Sequence, residues 1–174
     1  MSSFKLKVLL TGAAAVGKTS LVQRFIKNRF AANYKLTVGV DILTKDVEFR
    51  AGEMATLSIW DIGGQQRFEF IRSTFYKGAA GALLVFDLTR EQTYTESKKW
   101  LTEIRQFAGG KIPFILIGNK YDLIEDVGQV IDRDEARAFA ESEGSIYIET
   151  SAKSGINVDE SFTELTRRII ESRT

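Results

Sequence analysis

The sequence predicts an α/β fold in which helices cover both faces of a mostly parallel sheet. Short apolar runs alternate with segments whose apolar residues recur at helical spacing, which is the pattern of strands joined by crossover helices. A chain of 174 residues with 44% hydrophobic content predicts one domain, residues 1–174, that buries about 70% of its unfolded surface. The runs are residues 6–10, 55–60, 81–86, 114–117 and 146–148.

A sixth strand is expected at one edge of the sheet, in antiparallel orientation. Residues 41–49 alternate imperfectly between polar and apolar, and Ala51-Gly52-Glu53 offers a turn back into the run at 55–60. Pro113 stands at the entry to another run, where its missing N–H does least harm. The expected sheet is therefore six-stranded, with one antiparallel edge strand.

About five helices are expected on the two faces of this sheet. Three of them carry a start signal, an N-cap candidate followed three residues later by Glu. The pairs are Thr93 with Glu96, Asp132 with Glu135, and Asn157 with Glu160. Four apolar stripes predict core-facing sides. They are Leu21, Val22, Phe25 and Ile26; Trp100, Ile104 and Phe107; Ala136, Phe139 and Ala140; and Phe162, Leu165 and Ile169.

Composition argues against several classes of function. The 24 basic and 23 acidic residues are interspersed, so the sequence shows no basic stripe for nucleic acid. Without cysteine there is no disulfide framework and no thiolate metal site, which suits a reducing compartment. No run approaches 18 apolar residues, and the N-terminus lacks the layout of a signal peptide. A cytoplasmic protein without a nucleic-acid partner is expected.

Residues 12–19 read Gly-Ala-Ala-Ala-Val-Gly-Lys-Thr and match the phosphate-binding pattern GxxxxGK[ST]. The loop joins an apolar run to a helix, as such a loop must. Backbone N–H groups there can converge on a β-phosphate, Lys18 can reach the β- and γ-phosphates, and Thr19 can ligate Mg²⁺. This pattern alone does not separate ATPases, kinases and GTPases. The expected phosphate contacts are Ala13, Ala14, Ala15, Val16, Gly17, Lys18, Thr19 and Ser20.

Two further motifs follow the last two strands. They are Gly118-Asn119-Lys120-Tyr121-Asp122 and Glu149-Thr150-Ser151-Ala152-Lys153, at the carboxyl ends where ligands bind in such sheets. Together with the phosphate loop and Asp61-Ile62-Gly63-Gly64-Gln65, they resemble the motifs of the Ras superfamily of small GTPases, P-loop proteins, over essentially the whole chain. The resemblance implies a molecular switch that binds GTP or GDP and hydrolyses GTP.

The chemistry of a carboxylate independently indicates that Asp122 selects guanine. A carboxylate can accept two hydrogen bonds from the guanine edge, whereas adenine lacks the exocyclic amine and presents an acceptor at N1. Polar pairing of this kind discriminates by about 10⁴ to 10⁵. The resemblance adds further nucleotide contacts. They are Phe30, Tyr34, Asn119, Lys120, Ser151, the backbone N–H of Ala152, and Lys153, with Asn119 also tying the base loop to the phosphate loop.

Hydrolysis needs Mg²⁺, an oriented water and groups that respond to the γ-phosphate. The resemblance implies Thr19, Thr37 and Asp61 around the metal, Gly64 and Lys18 on the γ-phosphate, and Gln65 orienting the water. The chain has no histidine, and residues 33–39 contain no arginine. Since an arginine finger is worth 10³ to 10⁵ in rate in related enzymes, we expect slow intrinsic hydrolysis that a partner protein accelerates.

The three alanines fill positions that Ras proteins largely reserve for glycine. Ala14 faces the γ-phosphate by analogy, where a methyl group would crowd an incoming arginine finger. A positive φ at Ala15 would cost roughly 1 to 2 kcal/mol because of its Cβ. The phosphate loop is therefore expected to be strained at Ala15, unless its backbone shifts to a negative φ.

Several segments look most like the Rab branch, among them Thr37-Val38-Gly39-Val40-Asp41 and Ile59-Trp60-Asp61. Residues 62–65 instead resemble the Arf branch, and the aromatic cluster that Rab proteins display would be Ile42, Trp60 and Phe75, with an aliphatic first member. Residues 173–174 follow the last helix without a cysteine-bearing tail, so membrane attachment is not expected from these residues themselves but from a partner or a tail.

The partners that the resemblance implies are an exchange factor, a GTPase-activating protein and effectors that read the switch regions. Two other functions remain open at this point. A nucleotide-locked scaffold would bind GTP or GDP and barely hydrolyse it, although it would have no need of Gln65. An ATP-using P-loop kinase is opposed by Asp122 and by the 151–153 loop.

Overall fold

The computed structural model describes residues 4–28, 40–64 and 73–173. In this part of the chain, six strands alternate with five α-helices and two short 3₁₀ turns, Ser73–Phe75 and Tyr121–Leu123. The strands are β1 Phe4–Thr11, β2 Val40–Arg50, β3 Glu53–Ile62, β4 Gly81–Asp87, β5 Phe114–Asn119 and β6 Tyr147–Glu149. The helices are α1 Lys18–Lys27, α2 Glu91–Phe107, α3 Ile124–Val127, α4 Arg133–Ser142 and α5 Val158–Glu171.

The strands form one sheet in the order β2-β3-β1-β4-β5-β6. The β2–β3 pair is antiparallel and every other pair is parallel, which confirms the predicted sheet with its antiparallel edge strand. The observed strands β4 and β5 run past the apolar runs to Asp87 and Asn119, which are paired neighbours. Both residues are buried but polar, so an apolar pattern misses them although they extend the ladder to the carboxyl edge.

The three predicted helix starts have different outcomes. Asp132 is the N-cap of α4 and accepts a hydrogen bond from the N–H of Glu135 at 3.1 Å, as predicted. The predicted cap at Thr93 is wrong, because α2 already begins at Glu91 and the Thr93 hydroxyl instead accepts from the N–H of Asp87 at 2.9 Å. Asn157 is the N-cap residue of α5 as predicted, but its side chain makes no capping hydrogen bond and its amide donates to the carbonyl of Glu149.

Two apolar cores lie on the two faces of the sheet. Helices α1 and α5 cover one face, where the rings of Phe25 and Phe162 stack with centroids 4.0 Å apart. Helices α2 and α4 cover the other, with Trp100, Ile104 and Ala136 buried against the strands. This arrangement confirms the expected two-sided α/β fold and fixes α1, the helix that follows the phosphate loop, against the sheet.

The helices of the described residues include none that is both long and apolar enough to cross a membrane.

Candidate nucleotide-binding site

The glycines of the phosphate loop lie where the backbone approaches other groups closely. Gly12 has φ +140°, and a Cβ there would lie 2.1 Å from the carbonyl oxygen of Val85. Gly17 has φ +99°, and its Cβ would lie 2.3 Å from the Nδ2 of Asn119. Any side chain at either position would collide with β4 or β5, so the glycine spacing follows from how tightly the loop rests on the sheet.

Ala15 adopts the left-handed conformation, with φ +68°. The expected strain is therefore present, at roughly 1 to 2 kcal/mol for the Cβ of an L-residue in this region. Such strain persists only where surrounding contacts hold the backbone in place, and it tends to occur at ligand clamps.

Lys18 lies beneath the loop with only 5% of its surface exposed. Its Nζ donates hydrogen bonds to the carbonyl oxygens of Gly12, at 3.0 Å, and Ala13, at 2.8 Å. A buried ammonium is costly unless it is well compensated. These two hydrogen bonds keep the positive charge of Lys18 against the backbone of the phosphate loop.

The two metal-ligand candidates of the described residues, Thr19 and Asp61, are brought together by α1 and β3. The Thr19 hydroxyl donates to Oδ2 of Asp61 at 2.5 Å, and Asp61 is 1% exposed. The pairing of Leu10 with Asp61 in neighbouring strands fixes this position at the end of β3. A hydroxyl and a carboxylate are hard oxygen ligands of the kind that Mg²⁺ prefers, so these residues fit the ion.

Gly64 lies against the phosphate loop. A Cβ at this position would lie 2.2 Å from the carbonyl oxygen of Gly12 and 2.6 Å from the backbone nitrogen of Ala14. The segment after β3 thus meets the phosphate loop backbone to backbone, and a glycine is required for that approach.

The base-binding candidates form one hydrogen-bonded group. Asn119 donates from Nδ2 to the carbonyl of Val16 at 2.9 Å and accepts at Oδ1 from the Thr150 hydroxyl at 2.9 Å, which confirms the expected tie to the phosphate loop. The Ser151 hydroxyl donates to Oδ1 of Asp122 at 2.8 Å. One carboxylate oxygen of Asp122 is thereby fixed in orientation. Ala152 is buried, whereas Lys153 is exposed.

Lys120 joins the base loop to the phosphate loop a second time. Its Nζ donates to the carbonyl of Ala15 at 3.0 Å and forms an ion pair of 2.9 Å with Oδ2 of Asp87. Asp87 is fully buried, and although burial raises the pKa of its carboxyl, hydrogen bonds from Thr89 and Lys120 hold that pKa below its usual value. The carboxylate is therefore charged and available to position cations near the loop.

Sequence reasoning missed four residues that support these loops. Thr150 fixes Asn119, and Asp87 holds Lys120. Arg90 donates to the carbonyl of Ala14, and Arg24 on α1 donates to the carbonyls of Ala152 and Lys153. In the sequence, Arg24 and Arg90 cannot be told from ordinary charged surface residues, because a contact to a distant backbone carbonyl leaves no local pattern.

Four predicted site residues lie outside the described residues. They are Phe30, Tyr34, Thr37 and Gln65.

The expected aromatic cluster is assembled on the outer part of β2 and β3. The rings of Trp60 and Phe75 have centroids 6.2 Å apart, and the ammonium of Lys7 lies 3.6 Å above the Trp60 ring. Ile42 pairs with Trp60 across the β2–β3 ladder and is 49% exposed. The aliphatic first member therefore leaves an apolar side chain at the surface beside the two rings.

Comparisons with known proteins agree with the geometry. A model of the Ras family matches residues 7–171. The human Ras-related protein Rab-22A is 42% identical over 169 residues, which cover 97% of this chain and 86% of the relative. The Ras-related protein RABA6a of Arabidopsis thaliana is 42% identical over 165 residues, covering 95% of this chain and 70% of the relative.

The Ras-related protein RGP2 of Oryza sativa subsp. japonica is 40% identical over 160 residues, covering 92% of this chain and 72% of the relative. These relatives and the family model exclude the kinase alternative, and nothing among them favours a scaffold. The chain belongs to the Ras family, in its Rab branch, whose members bind GTP and GDP with Mg²⁺, hydrolyse GTP to GDP and act as switches in membrane trafficking.

Proposed function

We propose that the carboxyl edge of the sheet is the nucleotide site through which this chain works as a GTP-dependent switch. The observation that carries the proposal is the pair of links between loops: Asn119 donates to Val16 and Lys120 donates to Ala15. A base-binding loop and a phosphate-binding loop are thereby held at a fixed spacing, as a single nucleotide that contacts both loops requires. Residues 13–20 contact the phosphates, and Asp122, Ser151, Ala152 and Lys153 contact the guanine.

Selectivity in this proposal comes from Asp122. Since Ser151 occupies one position on Oδ1, the remaining acceptor capacity of the carboxylate faces a ligand that can donate twice. Guanine does so through N1–H and its amine. Adenine would leave a desolvated carboxylate oxygen without a partner, which is the basis of strong discrimination.

Hydrolysis in this proposal relies on positioning and electrostatics. Lys18 supplies positive charge to the β- and γ-phosphates, and the N–H of Gly64 contacts the γ-phosphate. Thr19 and Asp61, with Thr37, would hold Mg²⁺, which when bound neutralises charge on the phosphate oxygens. Gln65 orients the attacking water. Loss of the γ-phosphate then releases the segments that carry Thr37 and Gly64, and partners read that change.

Regulators and effectors act on members of this family generally. We propose that an exchange factor and a GTPase-activating protein act on the segments around Thr37 and Gln65, and that effectors contact the cluster of Ile42, Trp60 and Phe75. We also propose a cytoplasmic location, with contact to membranes through a partner or a tail. The 49% exposure of Ile42 supports the effector assignment, because an exposed apolar side chain beside two rings favours association.

The test is to identify the nucleotide released from the purified protein on denaturation and then to measure single-turnover GTP hydrolysis. We expect bound guanine nucleotide and a rate of about 10⁻³ s⁻¹ or slower. Gln65→Leu should bind GTP as the wild type does and hydrolyse it more slowly still.

Gln92→Leu is the matched control, since Gln92 lies on the exposed side of α2 and bonds only locally to Glu96. It should leave the rate unchanged. Equal rates for the wild type and Gln65→Leu would favour the scaffold, and turnover within seconds would contradict the expected dependence on a partner.

A further inference from the structure

Asp87, at the end of β4, is a buried carboxylate that no nucleotide motif includes. Its Oδ1 accepts hydrogen bonds from the backbone N–H of Thr89 at 2.8 Å and from the Thr89 hydroxyl at 2.6 Å. Its Oδ2 accepts from Nε of Arg90 at 3.2 Å and from Nζ of Lys120 at 2.9 Å. Both oxygens are satisfied, so the charge is held in one place and orients two cations.

Both cations continue to the phosphate loop. Nη2 of Arg90 donates to the carbonyl of Ala14 at 2.9 Å, and Nζ of Lys120 donates to the carbonyl of Ala15 at 3.0 Å. These two carbonyls are consecutive in the chain and lie on either side of the Cα atom of Ala15. Two cations that are both bound to Asp87 therefore hold the backbone on the two sides of Ala15.

These two hydrogen bonds hold the backbone on either side of Ala15, the residue whose conformation is strained. Ala15 has φ +68°, which its Cβ disfavours, so the loop would relax if the carbonyls on either side were released. Arg90 suits the task because the planar guanidinium directs Nε to Asp87 and Nη2 to Ala14 at the same time. Lys120 makes its bonds to Asp87 and Ala15 from one nitrogen atom, whereas Arg90 uses two nitrogen atoms in a fixed plane.

We propose that Asp87 and Arg90 hold the Ala14–Ala15 backbone in its phosphate-binding conformation, and that Arg90 is thus a positioning residue for nucleotide retention. The inference rests on the proposed function, in that residues 13–20 must be the phosphate contacts. It adds a residue outside those motifs to the binding site. Because the grip is on the loop and not on the ligand, its loss should affect diphosphate and triphosphate alike.

The experiment measures dissociation rates of the fluorescent mant derivatives of GDP and of a non-hydrolysable GTP analogue. Arg90→Ala should accelerate release of both nucleotides by about tenfold, the effect of losing a hydrogen bond from a charged donor. Arg105→Ala is the matched control, because Arg105 makes an ion pair of similar length, 2.9 Å, with Glu143 at the other end of the sheet. It should release both nucleotides at the wild-type rate.

A double-mutant cycle with Ala15→Gly tests the cause. Glycine takes a positive φ without a steric cost, so the loop needs less support in that background. Arg90→Ala should then accelerate release by threefold or less instead of about tenfold. The same factor in both backgrounds would overturn the link between Arg90 and the Ala15 backbone.

The remaining outcomes separate this proposal from the one on which it rests. A wild-type protein that binds neither mant nucleotide would refute the proposed function itself. Unchanged release by Arg90→Ala, with a tightly binding wild type, would refute only the positioning role. Faster release of the triphosphate analogue alone would also overturn it, because Arg90 would then act on the γ-phosphate rather than on the loop.

Discussion

The two ends of the sheet use polar side chains in opposite ways. At the carboxyl end they are buried and tied to backbone atoms of other loops, with Lys18 at 5% exposure and Asn119 at 1%. At the amino end, half-buried charged residues form ion pairs with one another, such as Arg105 with Glu143 and Arg168 with Glu164. A cleft of about 700 Å³ opens there, lined in part by these four residues.

The difference indicates that buried, hydrogen-bonded polar groups mark the proposed site and that partly exposed ion pairs do not. Burying a polar group is costly unless it is fully hydrogen-bonded, so a cluster of such groups requires a compensating role. Surface ion pairs carry no such cost and contribute about 0 to 1 kcal/mol each. We therefore propose that the carboxyl end, where polar groups are buried, is the functional one, and four predictions test this contrast.

The largest effect is expected at Asp122. Asp122→Asn replaces an acceptor-only group with an amide that matches xanthine better than guanine, so the ratio of GDP to XDP affinity should fall by about 10⁴. Competition binding with the two diphosphates measures the ratio. Asp126→Asn, an exposed acid on the adjacent turn, should leave it unchanged. An unaltered ratio for Asp122→Asn would remove the base assignment.

Asn119→Ala should have the next largest effect. The substitution leaves the carbonyl of Val16 and the Thr150 hydroxyl without their partner in a buried place, at about 3 kcal/mol in total. GDP and XDP affinity should therefore fall by about 100-fold together, without a change in preference. Calorimetric titration with each nucleotide gives the comparison, and exposed Gln106→Ala serves as the control. A loss confined to one base would mean that Asn119 reads the base instead of joining the loops.

A smaller effect, on acid stability, is expected at Glu149, which begins the last base-binding motif. Burial raises the pKa of this carboxyl, but hydrogen bonds from Arg133 and Tyr147 lower it further, so its pKa lies below the usual value. The charged form therefore stabilises the fold above the unfolded pKa of about 4.3, and this contribution is lost as pH falls through the folded value.

Glu149→Gln should lower the free energy of unfolding at neutral pH by about 1 to 2 kcal/mol and flatten its decline below about pH 4.5. Urea unfolding between pH 3 and 7 measures both. Glu53→Gln, at an exposed ion pair with Arg50, is the control and should leave the curve nearly unchanged. A parallel downward shift of the whole curve for Glu149→Gln would indicate a packing effect in place of the ionic one.

The smallest effect is expected at the amino end. Arg105→Ala should change the free energy of unfolding by about 1 kcal/mol or less, because the ion pair with Glu143 is accessible to solvent on both sides. Thermal unfolding with and without 0.5 M NaCl measures it. A loss of unfolding free energy as large as the cost of about 3 kcal/mol expected at Asn119 would contradict the contrast between the two ends.

The sequence predicted the sheet and the helices closely because buried strands are continuous apolar runs and the buried side of a helix recurs at helical spacing. It predicted the phosphate and base loops because their residues stand next to each other in the chain. It failed at Thr93, where a buried hydroxyl serves Asp87 rather than a helix end. It also missed Arg24 and Arg90, whose carbonyl partners lie 128 and 76 positions away, since such contacts form only once the sheet brings loops together.

The hairpin of β2 and β3 connects the chain segment that carries Thr37 with the segment that carries Gln65. Val40, which follows the first segment, pairs directly with Ile62, which precedes the second by two glycines. A displacement of Val40 or Ile62 therefore shifts the residue paired with it in the neighbouring strand. We expect a partner that binds at this pair of residues to respond to both segments together, so that the two segments report the same state of the γ-phosphate.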